Sequence, residues 1–408
     1  MGHVTEPKSA PAHRNPILHG GLAAVLAVMA SASCASAPAP SASHAAAASA
    51  APGKAPSLPK PTGPHPVGTT SLHLKDLSRP DPWVPTAKAR ELMVSLWYPA
   101  KSPGGRRAPY VTPKESELIL RGGRISGVPA DALSRMRTNA FTDAKPAGSR
   151  RGLPLVVLSP GFGMPRGSLS ALAEDLASNG YVVAGIDHTY ESFATTFPDG
   201  RVTTCVACGA EKNEEFGRKG VGSRAADVSF VLDELTGARP KWTGAPLIDP
   251  SRIGMAGHSV GGASALAAMV KDERVRAGIN MDGTTFAPIP KSGLSRPFLF
   301  LGQQAMHKPG DEDPTWERDW KRLTGWKRWL VVTGAEHASF TDISLLADQL
   351  GIAHGAGLSG ARSLEITRGY TLAFFDLHLR KRPHPLLDKP STRYPEVTFC
   401  TPKTKTCE

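Results

Sequence analysis

The stretch 252–270 constrains the fold of this chain more than any other. An apolar run, 252–256, leads straight into Gly257-His258-Ser259-Val260-Gly261, and a small-residue segment suited to a helix, 262–270, follows at once. A serine with glycine two positions away on either side, set between a strand and a helix, marks a sharp turn that lifts the hydroxyl above a sheet edge. The backbone at such a serine is strained, and a side chain two residues away would collide with the turn. The pentad alone is a weak signal, and the strand before it and helix behind it make it a strong one. Ser259 is the expected nucleophile, with Gly257, His258 and Gly261 forming its elbow.

The remainder of the chain repeats the same alternation. Apolar runs at 69–74, 92–98, 155–158, 181–186, 275–281, 297–301 and 329–332 read as strands. Segments 169–178, 223–235 and 363–379 read as helices; in the last, Ile366, Tyr370, Ala373, Phe374 and Leu377 repeat at helical spacing. That order predicts one α/β domain with a doubly wound, mostly parallel sheet. Three long connections, 101–152, 188–222 and 338–360, are expected to form cap loops over the edge where open α/β sheets bind ligands.

A serine nucleophile at neutral pH needs a base, and the base needs an orienting carboxylate. Downstream of Ser259 stand His307, His337, His354, His378 and His384. His337 follows the strand 329–332 through a short turn, which places its imidazole at the same edge. His378 falls inside the last helix, His384 between prolines and His354 in a loop, leaving His307 as the one serious rival. The acid has two usual locations. After the strand 297–301 the chain reads Gly302-Gln303-Gln304-Ala305, without a carboxylate, and Asp311 and Asp313 come later. One strand earlier, Asp282 directly follows 275–281, where an unpaired charge would be costly to bury. Asp282 is the expected acid. The oxyanion of acyl transfer requires aimed donors. The Val260 N–H, beside the nucleophile, and the Phe162 N–H, in the glycine-rich exit Ser159-Pro160-Gly161-Phe162-Gly163, are the candidates.

The two ends of the chain bear on its destination. Lys8 and Arg14 precede the apolar run 22–30 and then small residues, a pattern that reads as an export signal over 1–34. Cys34 stands where a bacterial lipoprotein carries its lipidated cysteine, although Ser31 occupies a position where leucine is usual. Release and lipid anchoring through Cys34 both follow from this reading, and anchoring would hold the enzyme at a membrane surface. Residues 35–67 are almost entirely Ala, Ser and Pro and read as a disordered tether, leaving 68–408 as the catalytic domain. Cys205, Cys208, Cys400 and Cys407 form an even set, which in an exported chain favours two disulfides over metal. Proximity suggests Cys205–Cys208 and Cys400–Cys407 among three arithmetic pairings. The net charge of +12 comes from scattered short pairs rather than a basic stripe with interleaved aromatics, so nucleic acid is not an expected partner.

These motifs resemble the plasma-type platelet-activating-factor acetylhydrolase branch of the α/β-hydrolase superfamily. Leu96-Trp97-Tyr98-Pro99 is similar to its opening strand. Ser159-Pro160-Gly161-Phe162-Gly163 is similar to its S-H-G-x-G loop, with Pro160 in place of histidine. Gly257-His258-Ser259-Val260-Gly261-Gly262 is similar to its G-H-S-x-G-G elbow, Met281-Asp282 to its acid, and His337-Ala338-Ser339-Phe340-Thr341-Asp342 to its H-x-x-F-x-D segment. The resemblance implies the α/β-hydrolase fold, no metal or other cofactor, and cleavage of short or oxidised acyl chains from small-molecule or lipid esters. Two alternatives stand beside it. A cutinase-type polyesterase or general lipase shares the elbow and the C-terminal disulfide, but carries its acid after the later strand. A surface binding protein would keep the fold without catalysis.

Overall fold

The computed structural model describes residues 55–408 apart from 211 and 356. The export signal, Cys34 and most of the expected tether lie outside the described residues. The last stretch of that tether is packed on the domain. Leu58 is buried, Ser57 bridges to Arg137, and the Gly63 N–H donates to the Ser178 hydroxyl.

In chain order the elements begin with β1 (Val67–Asp76), β2 (Arg90–Pro99), β3 (Arg107–Pro109), α1 (Pro113–Gly122), β4 (Arg137–Thr142), β5 (Leu153–Ser159), α2 (Ser170–Ser178) and β6 (Val182–His188). A small hairpin, β7 (Thr195–Thr196) and β8 (Val202–Thr203), precedes α3 (Glu214–Thr236), β9 (Ile248–His258), α4 (Val260–Lys271) and β10 (Val275–Met281). Then come β11 (Phe298–Gln303), α5 (Gln304–His307), α6 (Thr315–Trp320), β12 (Lys327–Val332), α7 (Asp342–Leu350), α8 (Gly360–Arg380), β13 (Val397–Thr401) and β14 (Thr406–Cys407).

One twelve-stranded sheet runs β14-β13-β12-β11-β10-β9-β5-β6-β2-β1-β4-β3. Its centre, from β6 to β12, is parallel; β1 with β2, β2 with β6, and β12 through β14 are antiparallel. Alternation along the strands decides which layer each residue feeds. Leu155, Val157, Met255, Phe298 and Phe300 face the layer of α3 and α4, where Val228, Val231, Leu266 and Met269 meet them. Val156, Leu158, Ala256, Ile279 and Leu299 face the layer of α2 and α8, against Leu172, Leu176, Tyr370 and Phe374. Burial on both faces explains why these strands read as continuous apolar runs. Each such side chain contributes about 1.5–3 kcal/mol relative to exposure.

The long connections are more ordered than loops. The first carries α1, β3 and β4, the second the β7–β8 hairpin and the start of α3, and the third α7. Helix α3 opens at Glu214 rather than 223, because Asn213 caps it and Gly217 allows close packing: a Cβ there would sit 2.2 Å from the Phe286 ring. The two disulfides are Cys205–Cys208 and Cys400–Cys407, the latter clipping β13 to β14.

The chain leaves β5 to one side for β6 and returns on the other side at β9. Open α/β sheets bind ligands at such a reversal of strand order, outside the carboxyl ends of the strands. Ser159 ends β5 there, paired with Gly257 of β9.

Candidate active site

Ser259 stands between β9 and α4 with φ 56° and ψ −126°, a strained conformation for a residue with a side chain. The space around it dictates the glycines. A Cβ on Gly257 would lie 2.2 Å from the Gly261 carbonyl carbon, and one on Gly261 would lie 2.0 Å from the Ser159 carbonyl oxygen. The Ser259 N–H donates to the Met281 carbonyl at 2.8 Å, which ties the elbow to the end of β10. Val260 is the first residue of α4, so its N–H has no intrahelical acceptor and lies at the positive end of the helix dipole. Across from it, the Gly163 N–H is committed to the Glu191 carbonyl at 2.8 Å, whereas the Phe162 N–H bonds to no described residue.

Asp282, also at positive φ (57°), follows β10 directly and is buried. Its Oδ2 lies 2.7 Å from His337 Nδ1. Gln303 donates its backbone N–H to Oδ1 at 2.7 Å and its side-chain amide to Oδ2 at 2.9 Å. Burial alone would raise the Asp282 pKa, but the His307 charge and the bonds from His307 and His337 hold it well below the usual carboxylate range. Gln303 ends β11 at the place where a carboxylate was sought in vain, and supplies donors to the acid one strand away.

His337 opens a short turn, His337–Phe340, that docks through Phe340 in the core. Asp342 completes the docking, accepting the Ala171 N–H of α2 at 3.2 Å, and burial pushes its carboxyl well up. The base is thus carried by a turn fastened at its far end. His337 Nε2 is buried and makes no hydrogen bond to any described residue, Ser259 included. Catalytic hydrogen bonds of free enzymes are commonly open and tighten when substrate binds. His258 reaches across the elbow and donates Nε2–H to the His337 carbonyl at 2.7 Å. Burial, with His337 close by, pushes the His258 pKa down to about 3, so its ring stays neutral.

His307, the rival base, is in the same cluster but on the other oxygen of the acid. Its Nδ1 lies 2.8 Å from Asp282 Oδ1, and its Nε2 lies 3.5 Å from Asp313 Oδ2, beyond good hydrogen-bond geometry but within ionic reach. Asp313 accepts from the Thr284 hydroxyl at 2.6 Å, while Asp311 sits apart, against the Lys308 N–H.

Sequence reasoning missed a second polar centre beneath the oxyanion loop. Ser159 Oγ lies 2.9 Å from His188 Nε2, and His188 Nδ1 lies 2.7 Å from Asp227 Oδ2. All three are fully buried, and Arg224 occupies the space above them, donating to Ser159 Oγ at 3.2 Å and to the Pro160 carbonyl at 2.5 Å. Burial, then the Arg224 charge, lowers the His188 pKa. Arg90 binds Asp227 and Asp81, and Arg224 binds Glu191, whose carbonyl holds Gly163. This charge cluster fixes both ends of the loop 159–163. Its members are scattered between residues 81 and 227, with no spacing that would announce them.

The connection 188–222 closes over the loop. Phe216 meets the Phe162 ring edge-on at 5.3 Å, Trp83 packs on Phe216, and Lys212 Nζ lies 4.6 and 4.1 Å from the Phe162 and Phe216 ring centres.

The sequence profile of the family described as platelet-activating factor acetylhydrolase, isoform II, matches residues 51–214 and 245–382. The chain belongs to that family. A probable 1-alkyl-2-acetylglycerophosphocholine esterase of Arthroderma benhamiae is 30% identical over 379 residues, covering 84% of this chain and 93% of the relative. The platelet-activating factor acetylhydrolase of Cavia porcellus is 24% identical over 48% of this chain, which spans about half (50%) of that relative. Among solved structures, a ferulic acid esterase from Streptomyces cinnamoneus superposes with a TM-score of 0.77 at 46% identity, covering 85% of this chain and all (100%) of that one. The acetylhydrolase family and this neighbour share the α/β-hydrolase architecture, and the chain is an ester hydrolase of that fold.

Proposed function

We propose that the chain is a serine carboxylic ester hydrolase acting through an acyl-enzyme at Ser259 on short-chain acyl esters, acetylated or oxidised phospholipids among them. The observation that carries the reading is the alignment of a strained serine, a histidine with a free Nε2 and a buried aspartate on its Nδ1 at one sheet edge. Ser259 Oγ attacks the acyl carbon while His337 Nε2 takes its proton, and Asp282 stabilises the imidazolium. The Val260 and Phe162 N–H groups receive the oxyanion. His337 then gives the proton to the departing alcohol, and water, deprotonated by His337, releases the acid and restores Ser259. The base must be a neutral imidazole to take the serine proton, so activity is expected to fall at acid pH.

The family and the named activities of its relatives support acetylated phospholipid as substrate. A second reading, an aromatic acyl ester, is favoured by the 46% identity to a ferulic acid esterase and by the Phe162–Phe216 wall beside the oxyanion loop. Hydrolysis of p-nitrophenyl esters from acetate to octanoate, of methyl ferulate and of an acetylated phospholipid, by wild type and Ser259→Ala, tests both. Serine-dependent activity falling steeply beyond butyrate, with phospholipid turnover, supports the first. Preference for ferulate supports the second, activity held through octanoate points to a lipase or polyesterase, and no activity on any ester removes the proposal.

The disulfides fit an oxidising compartment. Release or lipid anchoring through Cys34 completes the reading, and globomycin-sensitive processing with membrane fractionation would separate the two.

A further inference from the structure

Asp282 carries two imidazoles, one on each oxygen, and the mechanism above uses only one. Nδ1 of His337 takes Oδ2 at 2.7 Å and Nδ1 of His307 takes Oδ1 at 2.8 Å. We propose that His307 is a positioning residue of the triad, a cation that fixes the rotamer of Asp282 and shares its negative charge, so that the acid pulls less strongly on His337.

The surroundings of His307 are those of a held cation. Its ring is buried and stacks on Trp316 of α6 at 4.1 Å and 20°. Trp329 of β12 donates its indole N–H to the His307 carbonyl at 2.7 Å, and Trp316 donates its own to the Gly283 carbonyl at 2.7 Å. The histidine and the acid's backbone are therefore pinned by neighbouring aromatics. The ionisable groups facing the ring are both acidic: Asp282 from the end of β10, and Asp313 from the segment before α6. Burial alone would lower the His307 pKa, but Asp282 first and Asp313 second raise it to about 9. At neutral pH the ring is charged.

The charge has a consequence for the base. A carboxylate paired with one cation offers less stabilisation to a second imidazolium, because part of its field is already cancelled. His307 thus leaves Asp282 with less field to offer an imidazolium on Oδ2 than the carboxylate would have alone. A group that merely filled space would orient nothing and leave the acid limb of activity where it was.

The inference rests on the Ser259–Asp282–His337 reading, and the test separates the two. The acid limb of kcat/KM for p-nitrophenyl acetate is compared in wild type, His307→Gln and Ser259→Ala. In His307→Gln the limb should move upward by about one pH unit, with kcat on the plateau reduced and KM changed less. A limb that stays in place overturns the inference, even if stability falls. Loss of all activity in Ser259→Ala shows that such a failure leaves the triad untouched, whereas full activity in Ser259→Ala removes the triad and the inference together. Should His307→Gln not fold, 15N-histidine NMR of the wild type decides: His307 is protonated on both ring nitrogens at pH 7, and a neutral ring overturns the proposal.

Discussion

The imidazole of His258 donates to the backbone carbonyl of His337 at 2.7 Å, so the residue before Ser259 holds the turn that carries His337. The two rings also lie 4.5 Å apart, centre to centre. The elbow and the base are therefore one mechanical unit, although 258 and 337 are distant in the chain. Replacing His258 with leucine removes the donor and leaves a buried carbonyl unpaired. A misplacement of about 1 Å in a catalytic group can cost about 100-fold. We expect His258→Leu to lower kcat by about 10- to 100-fold with a smaller change in KM, read from steady-state hydrolysis of p-nitrophenyl acetate.

Asp282 and Asp313 should respond very differently to the same change. Asp282→Asn leaves His337 without a carboxylate and should reduce turnover by about four orders of magnitude while circular dichroism reports a retained fold. Asp313 touches His307 but not His337, so Asp313→Asn should keep turnover within about tenfold. A collapse of activity in Asp313→Asn alone would mean that the acid has been misassigned.

Ser259, the proposed nucleophile, and Ser159, bonded to the buried His188–Asp227 pair, make opposite predictions. Ser259→Ala should abolish hydrolysis. Ser159→Ala should cost about 1 kcal/mol in stability and keep activity within about tenfold, because Ser159 Oγ is buried and already bonded by His188 and Arg224. Arg224→Met removes the nearest cation from buried Glu191, leaving it the Trp83 indole at 2.9 Å and Arg90 at 3.7 Å, and should cost about 3 kcal/mol, measured by urea denaturation. Equal loss of activity in both serine variants would contradict this division.

The buried histidines make stability depend on pH in two directions. His258 falls from the ordinary 6.5 to about 3, and burial lowers His188 as well. Below pH 6.5 the unfolded chain binds protons at these sites that the folded one refuses. Stability therefore declines as pH drops from about 6.5 toward 3, by up to about 1.4 kcal/mol per pH unit at His258, with His188 acting in the same direction. His307 works the other way. Its folded value is raised to about 9, so its contribution is complete below 6.5 and is lost as pH climbs through 9. Melting temperatures recorded from pH 4 to 10 should pass through a maximum near neutrality, and His307→Gln should flatten the alkaline side.

Ser259, Gly257, Gly261, Asp282 and His337 can be located from sequence because each sits at or just beyond the end of an apolar strand, and strand ends are visible as breaks in hydrophobicity. His307 was legible as a rival but not in its place, since its role depends on which oxygen of Asp282 it meets, a matter of side-chain geometry across two strands. Gln303 was passed over because a search for carboxylates ignores donors. The cluster of Arg90, His188, Arg224 and Asp227 left no trace, as its members come from separate elements and share no period. Helix α3 begins earlier than the sequence suggests because Asn213 caps it and Gly217, a residue type that usually breaks helices, is there for close packing on Phe286.

The proposed reacting groups all hang from the ends of β5, β9, β10 and β12, whereas Lys212 and Phe216, which pack on Phe162, belong to the connection between β6 and β9. On the proposed reading, chemistry and selectivity are written in different parts of the chain. Grafting the 188–222 segment from another family member should then change which ester is cut while leaving the strand ends in place.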